Sequence, residues 1–304
     1  TVSTKVMVPS WNRTSSVRHT LRQKYRYAFR SDLHTHTTFS DGRLSPHEML
    51  QQAVKGGIDV LSITDHDLPP PFISGWHEVD DRSIYIISGV ELSGVHQGVE
   101  LHLLVYFSGD MPSEFADFCR EQAKGRAHRY ERARKSIGLD IDSADEDAHN
   151  GRRSLTRLHL AHALKNAGYV PTVADAFKCW LRPEHGHVVP VGLPFTEAIV
   201  RAKAAGGFCS WAHPMSTHLK DWLGEFVEVG LDAIEGIRPR QGKNVRQKYR
   251  NIANRKHIYL TGGSDSHGYG DPLGTFAFPG KEMKYWAHRV GLPIDEIAMR
   301  RNMH

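Results

Sequence analysis

Seven short runs rich in apolar and β-branched residues punctuate the 304-residue chain, and they restrict its fold more than any other feature. They fall at 31–35, 58–64 (IDVLSIT), 84–92 (IYIISGVEL), 100–107 (ELHLLVYF), 207–212 (GFCSWA), 232–237 (DAIEGI) and 257–263 (HIYLTGG). Runs of this length and composition read as strands. Helical patterns lie between several of them. Segment 45–57 opens on a capping box, with Ser45 as N-cap, Pro46 at the first helical position and Glu48 at the third, and it stops at Gly56-Gly57. Segments 195–206 and 242–256 carry the same helical apolar spacing. Strands alternating with helices predict parallel βαβ units, and seven of them predict an α/β barrel rather than an open sheet.

Between 110 and 190 the strand signal stops. Charged helical stretches at 113–137, 154–167 and 171–181 and the segment "RPEHGHVVP" take its place. The prediction is a helical insertion at 110–190 that divides the barrel into a first part, 31–109, and a second part with a C-terminal extension, 191–304. Residues 1–30 form a basic N-terminal arm, in which Arg13, Arg18, Arg22, Lys24, Arg26 and Arg30 alternate with Trp11, Tyr25, Tyr27 and Phe29. Such an arm suits packing outside the barrel with its charges in water; contact with nucleic acid is the alternative.

Composition narrows the chemistry. No apolar run approaches the roughly 18 residues of a membrane span, and the polar, basic N-terminus lacks the apolar core of a secretory signal. The three cysteines, Cys119, Cys179 and Cys209, are too few and too scattered for a disulfide framework or a zinc knuckle. Together these features predict a reducing, cytoplasmic compartment and no membrane partner. A formal charge of +5 suits an anionic substrate, and 20 histidines raise the expectation of a metal site.

Side chains at i and i+2 of a strand share a face, so His34 and His36 of "DLHTHTTFSDG" can grip one ion together. Other predicted strands also carry ligand types: Asp65 and His66 in "ITDHD", Glu91 in "GVELS", His102 in the fourth strand, His213 in "AHP", and Asp265 and His267 in "GGSDSH". A barrel active site collects such groups because its βα loops converge on one face. No single motif is specific; their joint placement is.

In that order, "DLHTHTTFSDG", "ITDHD", "GVELS", "AHP" and "GGSDSHG" resemble the motifs of the PHP (polymerase and histidinol phosphatase) superfamily of metal-dependent phosphoesterases, over about 32–107 and 190–275. The resemblance implies a distorted seven-stranded barrel holding two or three divalent ions. It assigns His34, His36, Glu91 and Asp265 to a first ion, Glu91, His102 and His213 to a second, and Asp41, His66 and His267 to a third. Many relatives carry histidine where Asp41 stands, so the third set is richer in oxygen and favours manganese or iron over zinc. The inserted "LTRLHLAHALKNAGYV", "DAFKCWL" and "VVP" resemble a subgroup that acts on nucleotides, 3′,5′-bisphosphates and short RNA ends. Arg157 and His159 match its phosphate-binding Arg-x-His pair, and His185 stands where that subgroup commonly has a lysine.

The chemistry implied is hydrolysis of phosphate monoesters or terminal phosphodiesters by a metal-activated water. There is no P-loop, nucleophile elbow or cysteine phosphatase loop to suggest a covalent route. His185 and His187 are the candidate proton donors to the leaving oxygen. Two rival readings are a phosphatase or cyclic phosphodiesterase for a small metabolite such as histidinol phosphate or a sugar phosphate, and an inactive PHP fold kept as a binding scaffold. An amide-hydrolysing barrel with two zincs would want a bridging lysine where "GVELS" supplies glutamate. Retention of every expected ligand weighs against the scaffold.

Overall fold

The computed structural model describes residues 27–138, 140 and 142–301, so the basic arm lies almost wholly outside the described residues. In chain order the strands are β1 Arg30–Asp32, β2 Val60–Leu61, β3 Gly75–Val79, β4 Arg82–Ile86, β5 Gly89–His96, β6 Val99–Tyr106, β7 Leu193–Pro194, β8 Phe208–Trp211, β9 Ala233–Ile237, β10 Tyr259–Gly262 and β11 Phe278–Pro279. They pair into two sheets, ordered β11-β1-β2-β4-β3 and β10-β9-β8-β6-β5-β7. With the helices between them, this is a mixed α/β fold.

The expectation of wholly parallel strands does not hold. β1–β2, β2–β4, β8–β9 and β9–β10 are parallel, but β5–β6, β6–β8, β3–β4 and β1–β11 are antiparallel. The reason at β5–β6 is a two-residue turn, Gln97 (φ 48°) and Gly98 (φ 78°), both left-handed. A turn that short makes a hairpin, since a parallel crossover needs about a dozen residues. The predicted strand at 84–92 is also two strands. The chain leaves the first sheet at Ile87 and joins the second at Gly89, and the Ser88 N–H between them donates to Ser74 Oγ at 2.9 Å.

Where β1, β2 and β10 end and β5 begins, the sheets meet. Thr35 bridges to Ser266 and His66 to Glu91, the Asp265 N–H donates to His34 O at 2.9 Å, and the Ser264 N–H donates to Asp32 Oδ1 at 2.8 Å.

The helices are α1 Pro46–Lys55, α2 Ser113–Ile137, α3 Glu146–His149, α4 Arg157–Asn166, α5 Val173–Cys179, α6 Phe195–Ala204, α7 Ser216–Glu228, α8 Lys243–Lys256, α9 Gly280–Met283 and α10 Ile294–Arg301. The capping box before α1 is present: the Ser45 N–H donates to Glu48 Oε2 at 2.7 Å. Helix α2 joins two cores. Phe115 and Cys119 pack with the strands, whereas Ala127, Tyr130 and Ala133 pack with Leu155, Leu160, Leu164 and Leu181 in a separate helical cluster. Between these halves, Arg126 pairs with Asp67 (Nε–Oδ2 2.5 Å) and Arg129 with Glu100 (2.8 Å). Removing one partner of a buried pair typically costs about 3–5 kcal/mol, so these contacts clamp the helical segment to the sheets. Among the described residues, the three cysteines are unpaired and no helix is long and apolar enough to cross a membrane.

Candidate metal centre

Strand β1 ends at Asp32, yet the extended path continues, because Thr35 bridges to Ser266 and the His36 N–H donates to Ser266 O at 2.9 Å. The i, i+2 alternation therefore persists beyond the strand, and the rings of His34 and His36 lie 5.1 Å apart. The following loop is tied to Asp65, which accepts from the Thr37 N–H (2.7 Å), Thr37 Oγ1 (2.5 Å) and Ser40 Oγ (2.5 Å). Gly42 closes that loop where a Cβ would stand 2.1 Å from His36 O. Asp41 is thereby turned toward His267 (3.2 Å), His66 (3.7 Å) and His36 (3.8 Å).

Glu91, on β5, is the centre of the cluster. His66 Nδ1 lies 3.0 Å from its carboxylate, His102 Nδ1 and His213 Nε2 at 3.1 Å, His34 Nε2 at 3.2 Å and His36 Nε2 at 3.3 Å. Asp265 Oδ1 lies 3.3 Å from His36 and 3.4 Å from His34. Five imidazoles crowd a carboxylate that offers about four acceptor positions. Moreover His34 Nε2, His36 Nε2, His66 Nδ1 and Glu91 Oε2 are buried without an aligned hydrogen bond. Buried polar atoms left in this way are costly unless they face a cation, so the donor set fits divalent metal.

Three sets of donor atoms lie within 4.8 Å of one another: His34, His36 and Asp265; His66, Glu91 and His102; and His36, Asp41, His66 and His267. The structure thus brings together all nine predicted ligands but divides them differently. His36 and His66 each fall in two sets, and His213, which falls in none, joins the cluster through its contacts with Glu91 and with His102 at 3.4 Å and by stacking on His34.

Charge is strongly coupled here. Burial opposes ionisation of Glu91, but His34, His102 and His66 outweigh it and hold the carboxyl well below its usual range. Burial likewise opposes charge on His36, yet Asp265, Glu91 and Asp41 raise it to about 10; His102, buried between Glu91 and Glu100, rises to about 9. For His66, burial and Arg126 prevail and its pKa falls. Backbone strain marks the same positions, with Asp67 (φ 52°), His213 (φ 31°) and Asp265 (φ 55°) in a left-handed conformation that non-glycine residues rarely adopt.

Glu235 is a site residue the sequence reading missed. It is fully buried on β9; its Oε1 lies 3.0 Å from His34 Nδ1 and its Oε2 accepts from the His213 N–H at 2.8 Å. The only available signal was a carboxylate inside the apolar run "DAIEGI".

Around the cluster, Arg157 opens α4 and lines a cavity shared with His66, His102 and His267. His159 faces a neighbouring cleft that includes Asp41, and its Nδ1 accepts from the Thr156 N–H at 3.0 Å, so its proton resides on Nε2. Burial first, then Arg153, lowers its pKa to about 4. His185 and His187 are not brought to the centre. His185 Nε2 contacts Lys178 O (3.2 Å) and His187 Nδ1 contacts Ser136 Oγ (2.9 Å), because a left-handed Gly186 turns this segment back onto the helical cluster. The predicted phosphate contact and the proton-donor role are corrected accordingly.

The PHP domain family model matches residues 32–166. The 5′-3′ exoribonuclease Rnm of Salmonella typhimurium is 33% identical over 256 residues, which cover 79% of this chain and 86% of that protein. The 3′,5′-nucleoside bisphosphate phosphatase of Chromobacterium violaceum is 27% identical over 254 residues, 79% of this chain and 88% of that one. Among solved structures, a Bifidobacterium adolescentis protein assigned as a metal-dependent phosphoesterase aligns with a TM-score of 0.68 at 24% identity, over 85% of this chain and 96% of that one; this likeness concerns the fold.

Proposed function

The chain belongs to the PHP family, and from that premise we propose that this metal-dependent phosphoesterase acts on phosphorylated ends of short RNA and on nucleotides. The observation that carries the reading is the convergence of five imidazoles on Glu91, three of them (His34, His36 and His66) through buried ring nitrogens without an aligned hydrogen bond. The named activities of the exoribonuclease and the bisphosphate phosphatase supply the substrate class. The bridges between β1 and β10 and between β2 and β5 favour reading β1, β2, β4–β5, β6, β8, β9 and β10 as a distorted seven-stranded ring. The separate helical core favours 110–190 as an inserted unit. The three unpaired cysteines fit a cytoplasmic enzyme.

Two to three divalent ions suit the site: His34, His36, Glu91 and Asp265 for one, Glu91, His102 and His213 for a second, and Asp41, His66 and His267 for a third. The oxygen of Asp41 favours manganese or iron over zinc in the last. When bound, such ions lower the pKa of water and offset charge on phosphoryl oxygens. The protein's own groups do the rest. Glu235 holds the His34 proton on Nδ1, leaving Nε2 free to ligate. Arg157 presents a planar fork to a phosphate in the cavity beside His66 and His267. His159, with Nδ1 engaged by its own helix start, offers an Nε2–H donor to the adjoining cleft.

The test is metal analysis of the purified protein together with product release from a panel of 5′-phosphorylated short RNAs, nucleoside bisphosphates and sugar phosphates. Bound metal and turnover of the RNA or nucleotides are expected, with Asp265→Ala retaining under about a tenth of wild-type kcat, a loss above roughly 1.4 kcal/mol. Turnover of the sugar phosphates alone would replace this reading with the small-metabolite one.

A further inference from the structure

We propose that the cleft between the end of β9, the first turns of α8 and the Ser264–His267 loop is a second anion site. It holds a backbone phosphate of the RNA that is not the one being cleaved. The inference rests on the reading above and extends it from the substrate's end to its chain.

The cleft encloses about 750 Å³ and is lined by Arg238 and Arg246 on one side and by Asp265 and His267 on the other. It therefore opens directly on the metal cluster. Among the described residues, neither Arg238 nor Arg246 has a carboxylate within ionic distance, whereas the well-buried Arg126 and Arg129 are each paired. The Nε atoms of both Arg238 and Arg246 are buried without a hydrogen-bond partner. Arg246 Nη2 reaches only the backbone oxygen of Arg238, at 3.2 Å. A third arginine, Arg240, stands at the mouth, 83% exposed and paired with Asp271. Half-buried guanidinium groups without an anion lose hydration with nothing in return, so two of them facing one cleft call for an anionic ligand.

The position of this cleft decides which anion. Arg157 lines a different cavity, against the helical segment, and the two cavities share His267. A ligand that uses both arginine sets and the metal cluster carries at least three phosphates. A nucleoside 3′,5′-bisphosphate has two; an oligonucleotide has enough. Tyr269, 54% exposed, lines both this cleft and the one beside His159, and its ring stacks on His162 at 5.9 Å, which offers a flat face for a base.

The experiment measures kcat/KM for wild type, Arg238→Gln and Arg246→Gln on a 5′-phosphorylated pentaribonucleotide and on a nucleoside 3′,5′-bisphosphate. Alongside it, fluorescence anisotropy follows binding of a labelled pentaribonucleotide with metals chelated. Arg238→Gln is the deciding variant, because its side chain makes no hydrogen bond among the described residues, whereas Arg246 also supports the loop. The expected result is a drop of about 10- to 100-fold on the pentamer, expressed in KM, with a shallower salt dependence and less than about twofold change on the bisphosphate. Equal losses on both substrates, or none on the pentamer, overturn the proposal. If wild type turns over neither substrate yet Arg238→Gln weakens pentamer binding about tenfold, the anion site stands and the proposed function falls. Absence of pentamer binding by wild type refutes the anion site.

Discussion

Replacing Glu235 by glutamine changes one atom's chemistry at nearly constant volume, and the structure dictates what must follow. The carboxylate is fully buried and accepts twice, from His34 Nδ1–H at 3.0 Å and from the His213 N–H at 2.8 Å. An amide has one acceptor oxygen and one donor nitrogen, so Glu235→Gln satisfies only one of these donors. If the amide nitrogen faces His34, the imidazole must accept on Nδ1 and move its proton to Nε2, the atom directed at Glu91 and Asp265. If it faces His213, two donors oppose each other at a residue already held at φ 31°. The first arrangement keeps both hydrogen bonds but removes the free lone pair on His34 Nε2, and the second forfeits a hydrogen bond to a charged group, about 1.5–3 kcal/mol. That corresponds to roughly 10- to 100-fold in metal affinity, the usual range for loss of a group that orients a ligand.

The assay is metal titration by calorimetry or chelator competition, paired with unfolding of the metal-free and metal-loaded protein. A tenfold weaker Kd should shrink the stability gained on loading by about 1.4 kcal/mol at fixed metal concentration. A glutamine variant that binds metal within about twofold of wild type and keeps the full gain would refute the claim that Glu235 sets the His34 tautomer.

Gly263→Ala should cost about 1–3 kcal/mol in urea unfolding, because the new Cβ would lie 2.3 Å from His34 Cβ and 2.6 Å from its backbone nitrogen; an unaffected midpoint would mean the loop yields freely. His159 should make stability depend on pH: its folded pKa of about 4 lies below its unfolded value of 6.5, so the unfolded chain binds the proton first, and stability that is complete above 6.5 is lost as pH falls toward 4. His159→Gln keeps an acceptor for the Thr156 N–H, and at pH 5 it should remove about 2 kcal/mol of that loss, read as the change in wild-type-minus-variant unfolding free energy between pH 7 and pH 5.

Local signals carried far. The segment read as a helix at 113–137 is α2, Ser113–Ile137, and the capping residues at 45–48 make the bonds their types demand. These features depend on residues within a few positions of one another. The clustering of the nine predicted ligand residues was legible for a related reason, since imidazole and carboxylate at the ends of apolar runs have few other uses. The strand directions were misread although the chain carried the correction: "HQGV" leaves two residues between β5 and β6, room for a hairpin alone. What stayed hidden depends on distant partners. Glu235 matters because it meets His34, 201 residues away, and Arg126 because it meets Asp67, 59 residues away. No periodicity encodes such pairings.

The division of labour among the carboxylates explains why the site tolerates so much charge in so little space. Asp65 and Glu235 have their oxygens engaged by N–H and O–H donors or by a histidine's outer nitrogen, so they hold backbone and ring orientation. Glu91 and Asp265 instead face ring nitrogens that lack an aligned partner. The left-handed backbone at His213 and Asp265, of order 1–3 kcal/mol each, places those side chains where relaxed strand ends would not. That strain must be sustained by neighbouring contacts, among them the Asp265 N–H donating to His34 O at 2.9 Å and the His213 N–H donating to Glu235 Oε2 at 2.8 Å. Glu235 ties two of these groups together, since it engages the His34 ring and the His213 N–H at once, so the His34 tautomer and the loop after β8 depend on one carboxylate.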